Sequence, residues 1–81
     1  MKTYHIIDKR ERNTASELIH YTFDEVKKYF GVGEEVKDLY DLEELLKQQA
    51  DGMAQPYEIV EDEVESLEAM EKANRFYRNS I

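Results

Sequence analysis

The chain contains no cysteine, so disulfide bonds cannot stabilise it and no thiolate is available as a nucleophile. This composition is typical of proteins in a reducing compartment. Long apolar runs are missing as well, because none approaches the ~20 residues that a membrane-spanning helix needs. Residues 1–12 also have no uninterrupted apolar stretch of the signal-peptide type. We therefore expect a cytoplasmic protein that does not associate with membranes.

Glycine and proline are scarce, with three glycines and one proline in 81 residues. They mark boundaries between structured segments, and no repeat, low-complexity tract or linker divides the chain. Hydrophobic residues make up 41% of the chain and aromatic residues 11%, which is enough to form a core. The sequence therefore predicts a single small domain over residues 1–81.

Motifs for catalysis and cofactor binding are also missing. No serine lies in a glycine-flanked turn like a nucleophile elbow, and the only clustered glycines, in residues 31–33, precede two glutamates that repel phosphate. The two histidines, His5 and His20, have no identifiable third ligand for a zinc site. We expect the histidines to pack or pair, and we predict no catalytic residue, no cofactor and no bound metal.

Two short apolar runs near the N-terminus predict a β-hairpin. The runs are residues 4–7 and 16–21, and a polar loop separates them. A turn centred near residues 12–13 pairs like with like, and the expected partners are Tyr4 with Tyr21, His5 with His20, Ile6 with Ile19, and Ile7 with Leu18. The alternative is one longer helix over residues 16–30.

Two helix starts carry local capping signals. Thr22 and Glu25 have the spacing of a capping box, which predicts a helix from Thr22 to Phe30 that ends at Gly31. Asp41 and Glu44 repeat the pattern for a second helix, although a start near Glu34 or Asp38 is also open. Gly52 is expected to end this helix.

The last third of the chain predicts a strand and then a helix. Pro56 forces an extended entry into residues 57–61, and a helical pattern begins at about Asp62. The predicted fold is therefore α+β, in the order β-β-α-α-β-α. A small antiparallel three-stranded sheet with helices packed on one face is the natural way to bury these apolar stripes.

Three segments carry a resemblance to known proteins. TFDEVKKYF, then DLYDLEELL, then GMAQPYEIVED resemble small acidic accessory proteins encoded by phages, prophages and plasmids of Gram-positive bacteria. The resemblance extends over residues 4–62 and includes no catalytic motif, so it implies no functional residue. It implies an accessory protein of a mobile element.

Negative charge is concentrated in the middle of the chain. The net charge is −8, and residues 34–71 hold fourteen acidic residues and only two lysines. Such a surface repels nucleic acid, so we expect no direct nucleic-acid binding. One interpretation is a solvated surface; the other is an acidic binding surface that imitates a nucleic-acid backbone, formed by Asp41, Glu43, Glu44, Glu61, Asp62 and Glu65.

The C-terminal helix offers a second candidate binding surface. Aromatic and arginine side chains are favoured as interface anchors, and the candidates are Arg75, Phe76, Tyr77 and Arg78. The alternative is that Phe76 widens the buried stripe of the helix.

From these patterns we expect a non-enzymatic accessory protein of a phage, prophage or plasmid that acts by binding an unidentified protein partner. The alternative is an acidic nucleic-acid mimic that inhibits a DNA- or RNA-binding host protein. We expect a monomer or a weak homodimer, and a homo-oligomeric structural component is a third class of function.

Overall fold

A computed structural model describes residues 1–11, 15–53 and 55–79. The fold is α+β, as predicted, with a two-stranded antiparallel sheet. In chain order the elements are strand β1 (Lys2–Asp8), a 3-10 helix (Ala15–Leu18), helices α1 (Phe23–Phe30) and α2 (Leu39–Gln49), strand β2 (Tyr57–Glu63) and helix α3 (Leu67–Asn79). None of these helices is long and apolar enough to cross a bilayer.

The sheet pairs the N-terminal strand with residues 57–63 rather than forming an N-terminal hairpin. β1 pairs with β2 in a register that places Ile6 opposite Ile59 and Thr3 opposite Asp62. The predicted pairs Ile6 with Ile19 and Ile7 with Leu18 are wrong, because Tyr21 is the only described residue of that segment that bridges to β1. The turn expected near residues 12–13 lies outside the described residues.

The predicted strand over residues 16–21 is replaced by the 3-10 helix and one isolated bridge. Tyr4 and Tyr21 exchange two backbone hydrogen bonds of 2.8 Å each, as the predicted pairing required. The bridge does not extend into a ladder, because the chain before it forms the 3-10 helix. The backbone groups of His20 point away from β1, and there the Asn74 side chain accepts from the His20 N–H (2.7 Å) and donates to the His20 carbonyl (2.8 Å). A side chain from α3 thus takes the backbone groups of residue 20. The alternative of one helix over residues 16–30 is also wrong.

Helix α1 follows its local signals. The Glu25 N–H donates to Thr22 Oγ1 (3.2 Å) and the Thr22 N–H donates to Glu25 Oε1 (3.0 Å), so the capping box is confirmed. Gly31 ends the helix with φ 67°, and its N–H donates to the carbonyls of Lys27 and Lys28. Glycine fits this left-handed position because it has no Cβ.

Helix α2 begins at one of the two alternative starts, Asp38, and not at Asp41 or near Glu34. Asp38 is the N-cap and accepts from the Asp41 N–H (2.9 Å), while the Asp41 carboxylate accepts from the Lys37 N–H (3.1 Å). The predicted cap at Asp41 is wrong, because Asp41 lies inside the first turn. Tyr40 is 69% exposed, so it does not pack as the hydrophobic staple that often accompanies such a cap. Gly52, with φ 82°, follows the end of the helix.

Strand β2 is longer, and helix α3 starts later, than the sequence predicts. β2 continues to Glu63 because β1 begins at Lys2 and pairs with it along its whole length. α3 begins at Leu67, where Ser66 Oγ accepts from the Ala69 N–H (3.2 Å). The three-stranded sheet and the element order are thus not confirmed.

The main core lies between one face of the sheet and helices α1 and α2. It includes Tyr4 and Ile6 from β1, together with Val26, Val36, Leu42 and Leu46. α3 packs instead on the 3-10 helix, so the arrangement of all helices on one face is not confirmed either. Because side chains alternate along a strand, Thr3 and His5 point to the opposite face. That face carries the first candidate site.

Candidate functional site

Two histidines and an aspartate meet on the second face of the sheet. His5 comes from β1 and Asp62 from β2, where Asp62 is the cross-strand partner of Thr3 and the diagonal neighbour of His5. His20 lies in the segment between the 3-10 helix and α1, which the Asn74 hydrogen bonds hold in place. Three separate parts of the chain therefore build this histidine cluster.

Each side chain of the histidine cluster is held by hydrogen bonds. His5 Nδ1 lies 3.0 Å from the Ile19 carbonyl, and His5 Nε2 lies 2.9 Å from Asp62 Oδ2. His20 Nδ1 and Thr3 Oγ1 are 2.9 Å apart, and Thr3 is fully buried. The two imidazole rings are in contact, with centroids 4.4 Å apart and planes tilted by 55°.

These contacts set the protonation of the cluster. Both ring nitrogens of His5 face oxygen atoms, and the Ile19 carbonyl and the ionised Asp62 carboxylate can only accept hydrogen bonds. The hydrogen bond from His5, followed by one from the Glu63 N–H, lowers the pKa of the Asp62 carboxyl. Burial, and then the charge of nearby His5, lowers the pKa of His20.

The expected contact between the two histidines is confirmed, but the third member of the cluster was missed. His5 and His20 meet without the predicted hairpin. Asp62 joins them because β2 pairs with β1 over seven residues. The sequence instead predicts a strand that ends at residue 61 and a helix that starts at about Asp62. A longer strand after Pro56, paired with β1 so that Ile59 lies opposite Ile6, would have placed Asp62 beside His5.

The three side chains also meet a distance requirement for metal binding. One ligand atom from each of His5, His20 and Asp62 lies within 4.8 Å of the other two. Within residues 1–11, 15–53 and 55–79, this is the one group of at least three such side chains. His20 is buried and His5 nearly so, whereas the Asp62 side chain is half exposed, so solvent reaches the cluster from the Asp62 side.

The second candidate site is the outer edge of β2. The hydrogen bonds at the ends of the sheet, from Val64 to Met1 and from Lys9 to Pro56, fix which residues point towards β1. Backbone groups alternate along an antiparallel strand, so the even-numbered residues of β2 bond to β1 and the odd-numbered residues point outward. Tyr4 obeys the same alternation on β1, where its outward groups bond to Tyr21.

Two consecutive outward positions on this edge have no hydrogen-bond partner among the described residues. They are Ile59 and Glu61, each with one N–H and one carbonyl. At the ends of the strand, the Tyr57 N–H donates to Gln55 Oε1 (3.2 Å) and the Glu63 N–H donates to Asp62 Oδ1 (2.7 Å). Local side chains therefore satisfy the end N–H groups and leave the centre of the edge open.

Acidic side chains surround the open edge. Glu58, Glu61, Asp62 and Glu63 are exposed, with Val60 also exposed at 38%. Lys2 lies 3.8 Å from Glu61, and both side chains are about half exposed. Such a contact contributes little in water. The edge is therefore anionic.

The predicted acidic surface is divided by the fold. Glu43 and Glu44 line a shallow cleft with Tyr57 and Ile59, whereas Glu61 and Asp62 line a separate depression with Lys2. Asp41 is partly occupied in capping its own helix, and Glu65 lies exposed in the turn before α3.

The predicted anchors at the C-terminus lie largely in solvent. Arg75 and Arg78 are exposed, Phe76 is 69% exposed and Tyr77 is half-buried. The Phe76 and Tyr77 rings contact each other with centroids 5.5 Å apart. The interpretation that Phe76 widens the buried stripe is wrong, because Met70 and Asn74 are the buried residues of α3.

Comparison of the chain with protein-family models, curated proteins and solved structures gave no match. Its function must therefore be argued from its own residues.

Proposed function

We propose that this protein is a non-enzymatic accessory protein of a phage, prophage or plasmid that acts by binding another protein. The observation that carries the proposal is the open, anionic edge of β2. The resemblance of residues 4–62 to mobile-element accessory proteins supports the biological setting.

The binding mode is addition of a strand to the sheet. An extended segment of the partner lies beside β2 and pairs with the outward N–H and carbonyl groups of Ile59 and Glu61. Strand addition takes its affinity from main-chain hydrogen bonds and its specificity from alternate side chains. The edge offers both, because its backbone groups are unpaired among the described residues and its side chains carry a strong charge pattern.

The charge pattern selects a basic partner. An added strand meets Glu58, Val60 and Asp62 on one face of the sheet and Ile59, Glu61 and Glu63 on the other. A segment that combines basic and apolar residues therefore complements the edge. Pairing of two copies of this edge would place acidic side chains against acidic side chains, which is destabilising. A different, basic protein therefore fits the edge better than a second copy of this chain.

The test compares two substitutions at one outward position. Glu61→Pro removes the outward N–H but no hydrogen bond to β1, and proline is tolerated at such an edge position. Glu61→Gln removes the charge and keeps the N–H. The probe is a short peptide of alternating lysine and valine, and its N-methylated form, which cannot pair through its backbone, is the control.

Glu61→Pro is expected to weaken peptide binding by about tenfold, which corresponds to the one lost hydrogen bond together with the lost charge. Glu61→Gln is expected to weaken it by less than about fivefold, because an exposed charge contributes at most about 1 kcal/mol. Circular dichroism and thermal melting check that both variants fold. Equal binding of the N-methylated peptide would contradict strand addition.

The second candidate is an acidic nucleic-acid mimic, favoured by the exposure of Glu43, Glu61 and Glu65. In this case a basic DNA- or RNA-binding protein competes for carboxylates rather than for backbone groups. Binding is then insensitive to Glu61→Pro beyond the loss of charge. It weakens with salt and with neutralisation of the six predicted residues, Asp41, Glu43, Glu44, Glu61, Asp62 and Glu65.

A further inference from the structure

The histidine cluster has the composition of a transition-metal site. Zinc binds imidazole nitrogen and carboxylate oxygen at about 2.0–2.2 Å, so ligand atoms in a tetrahedral site lie roughly 3.4 Å apart. His5 Nε2 and Asp62 Oδ2 are already 2.9 Å apart, and the ligand atoms of all three side chains lie within 4.8 Å of one another. Admitting an ion requires His5 and Asp62 to separate by about half an ångström and the ligand atom of His20 to approach them by at most about 1.4 Å.

The hydrogen bonds behind the rings provide the support that such sites use. A metal-binding histidine usually donates its other N–H to a carbonyl, a carboxylate or a water, which fixes the ring and the tautomer. His5 Nδ1 lies against the Ile19 carbonyl and His20 Nδ1 against the Thr3 hydroxyl. Both rings are therefore held through Nδ1, and His20 Nε2 makes no hydrogen bond to any residue the structure describes.

We propose that His5, His20 and Asp62 bind a transition-metal dication of the zinc class. Both histidines coordinate through Nε2 and Asp62 through its carboxylate, while a water completes the tetrahedron on the exposed side. The ion takes the position of the proton that now joins His5 to Asp62. The Thr3 hydroxyl then accepts from His20 Nδ1–H and holds the ring in the binding orientation.

The ligand set selects against the common hard cations. Calcium and magnesium prefer six or more oxygen ligands, whereas the histidine cluster supplies two imidazoles and one carboxylate. Imidazole suits zinc, copper, nickel and iron. Zinc is the probe of choice because it has no redox chemistry, and calcium is the matched control.

The experiment is calorimetric titration of the full chain with zinc, with nitrogen NMR of the two imidazoles in the same samples. We expect one zinc per chain, no binding of calcium at this site, and shifts of Nε2 rather than Nδ1 in both rings. Asp62→Asn is expected to weaken zinc binding by at least about tenfold because it removes a ligand charge. Glu63→Gln removes the same charge one residue away and is expected to change the affinity less than twofold.

A further variant tests the supporting hydrogen bond. Thr3→Ser keeps the hydroxyl and is expected to retain zinc affinity, whereas Thr3→Val is expected to weaken it by about 10- to 100-fold. Three results would overturn the proposal: no zinc binding, equal weakening by Asp62→Asn and Glu63→Gln, or coordination through Nδ1. Equal weakening would mean that exposed carboxylates hold the ion.

Discussion

The side chain of Asn74 is expected to be one of the largest single contributors to stability outside the main core. It is 5% exposed and holds both backbone groups of His20, at 2.7 and 2.8 Å. These bonds join α3 to the segment that carries His20 and leads through the Tyr21 bridge to β1. Asn74→Ala removes both bonds and leaves the N–H and carbonyl of a buried residue without partners.

The magnitude follows from the two orphaned groups. Each buried, unsatisfied backbone group costs about 1–3 kcal/mol. Alanine is the better helix former, which offsets the loss by at most about 0.7 kcal/mol. We therefore expect Asn74→Ala to lower the free energy of unfolding by about 1.3–6 kcal/mol, a large share of the ~5–15 kcal/mol of a typical domain.

Urea denaturation followed by circular dichroism measures this change. Asn79→Ala is the matched control, since Asn79 is an exposed asparagine in the same helix, and it is expected to change stability by less than about 0.5 kcal/mol. A loss below about 1 kcal/mol for Asn74→Ala would refute the reasoning, because it would mean that water replaces the asparagine without cost.

Three further predictions concern other parts of the fold. Leu42→Ala is expected to cost about 2–5 kcal/mol in urea denaturation, because Leu42 is fully buried; a smaller loss would contradict its position in the core. Gly31→Ala is expected to cost about 1–2 kcal/mol in the same assay through the left-handed backbone alone, because a Cβ there meets no atom within 4 Å; an unchanged midpoint would contradict that strain. Hydrogen bonds from Arg10 lower the pKa of Asp8 in the folded protein, so its contribution is present above the unfolded pKa of about 3.9 and is lost as pH falls through the lower folded value. Thermal melts of the wild type and Arg10→Gln should therefore differ above pH 4 and converge in stronger acid, and a difference that does not depend on pH would refute this linkage.

The parts of the fold that sequence reasoning predicted are those set by nearby residues. Thr22 and Glu25 lie three positions apart, and Gly31 needs only its own backbone freedom, so the bounds of α1 followed from local chemistry. The same reasoning misplaced the start of α2 because Asp38 and Asp41 both precede plausible helical turns. The burial of Leu42 and the exposure of Tyr40 distinguish the two helix starts, and both depend on tertiary packing.

The parts that were missed depend on contacts between distant segments. β1 could pair either with residues 16–21 or with residues 57–63, and local β propensity does not distinguish them. The nearer segment forms only the Tyr4–Tyr21 bridge, because residues 15–18 form a 3-10 helix. The Asn74 side chain holds the backbone groups of His20 that point away from β1, although nothing near Asn74 in the sequence indicates that role. The histidine cluster was half predicted for the same reason, since Asp62 reaches His5 only through the long-range pairing.

The most direct test of the proposed function is amide hydrogen exchange at the edge of β2, measured by NMR with and without the lysine–valine peptide. Strand addition predicts that the amides of Ile59 and Glu61 exchange quickly in the free protein and gain protection when the peptide binds. The Val60 amide, which points towards β1, is the internal control and should be protected in both states. Peptide binding that leaves the Ile59 and Glu61 amides unprotected would contradict the account, because the edge would then act only through its charge.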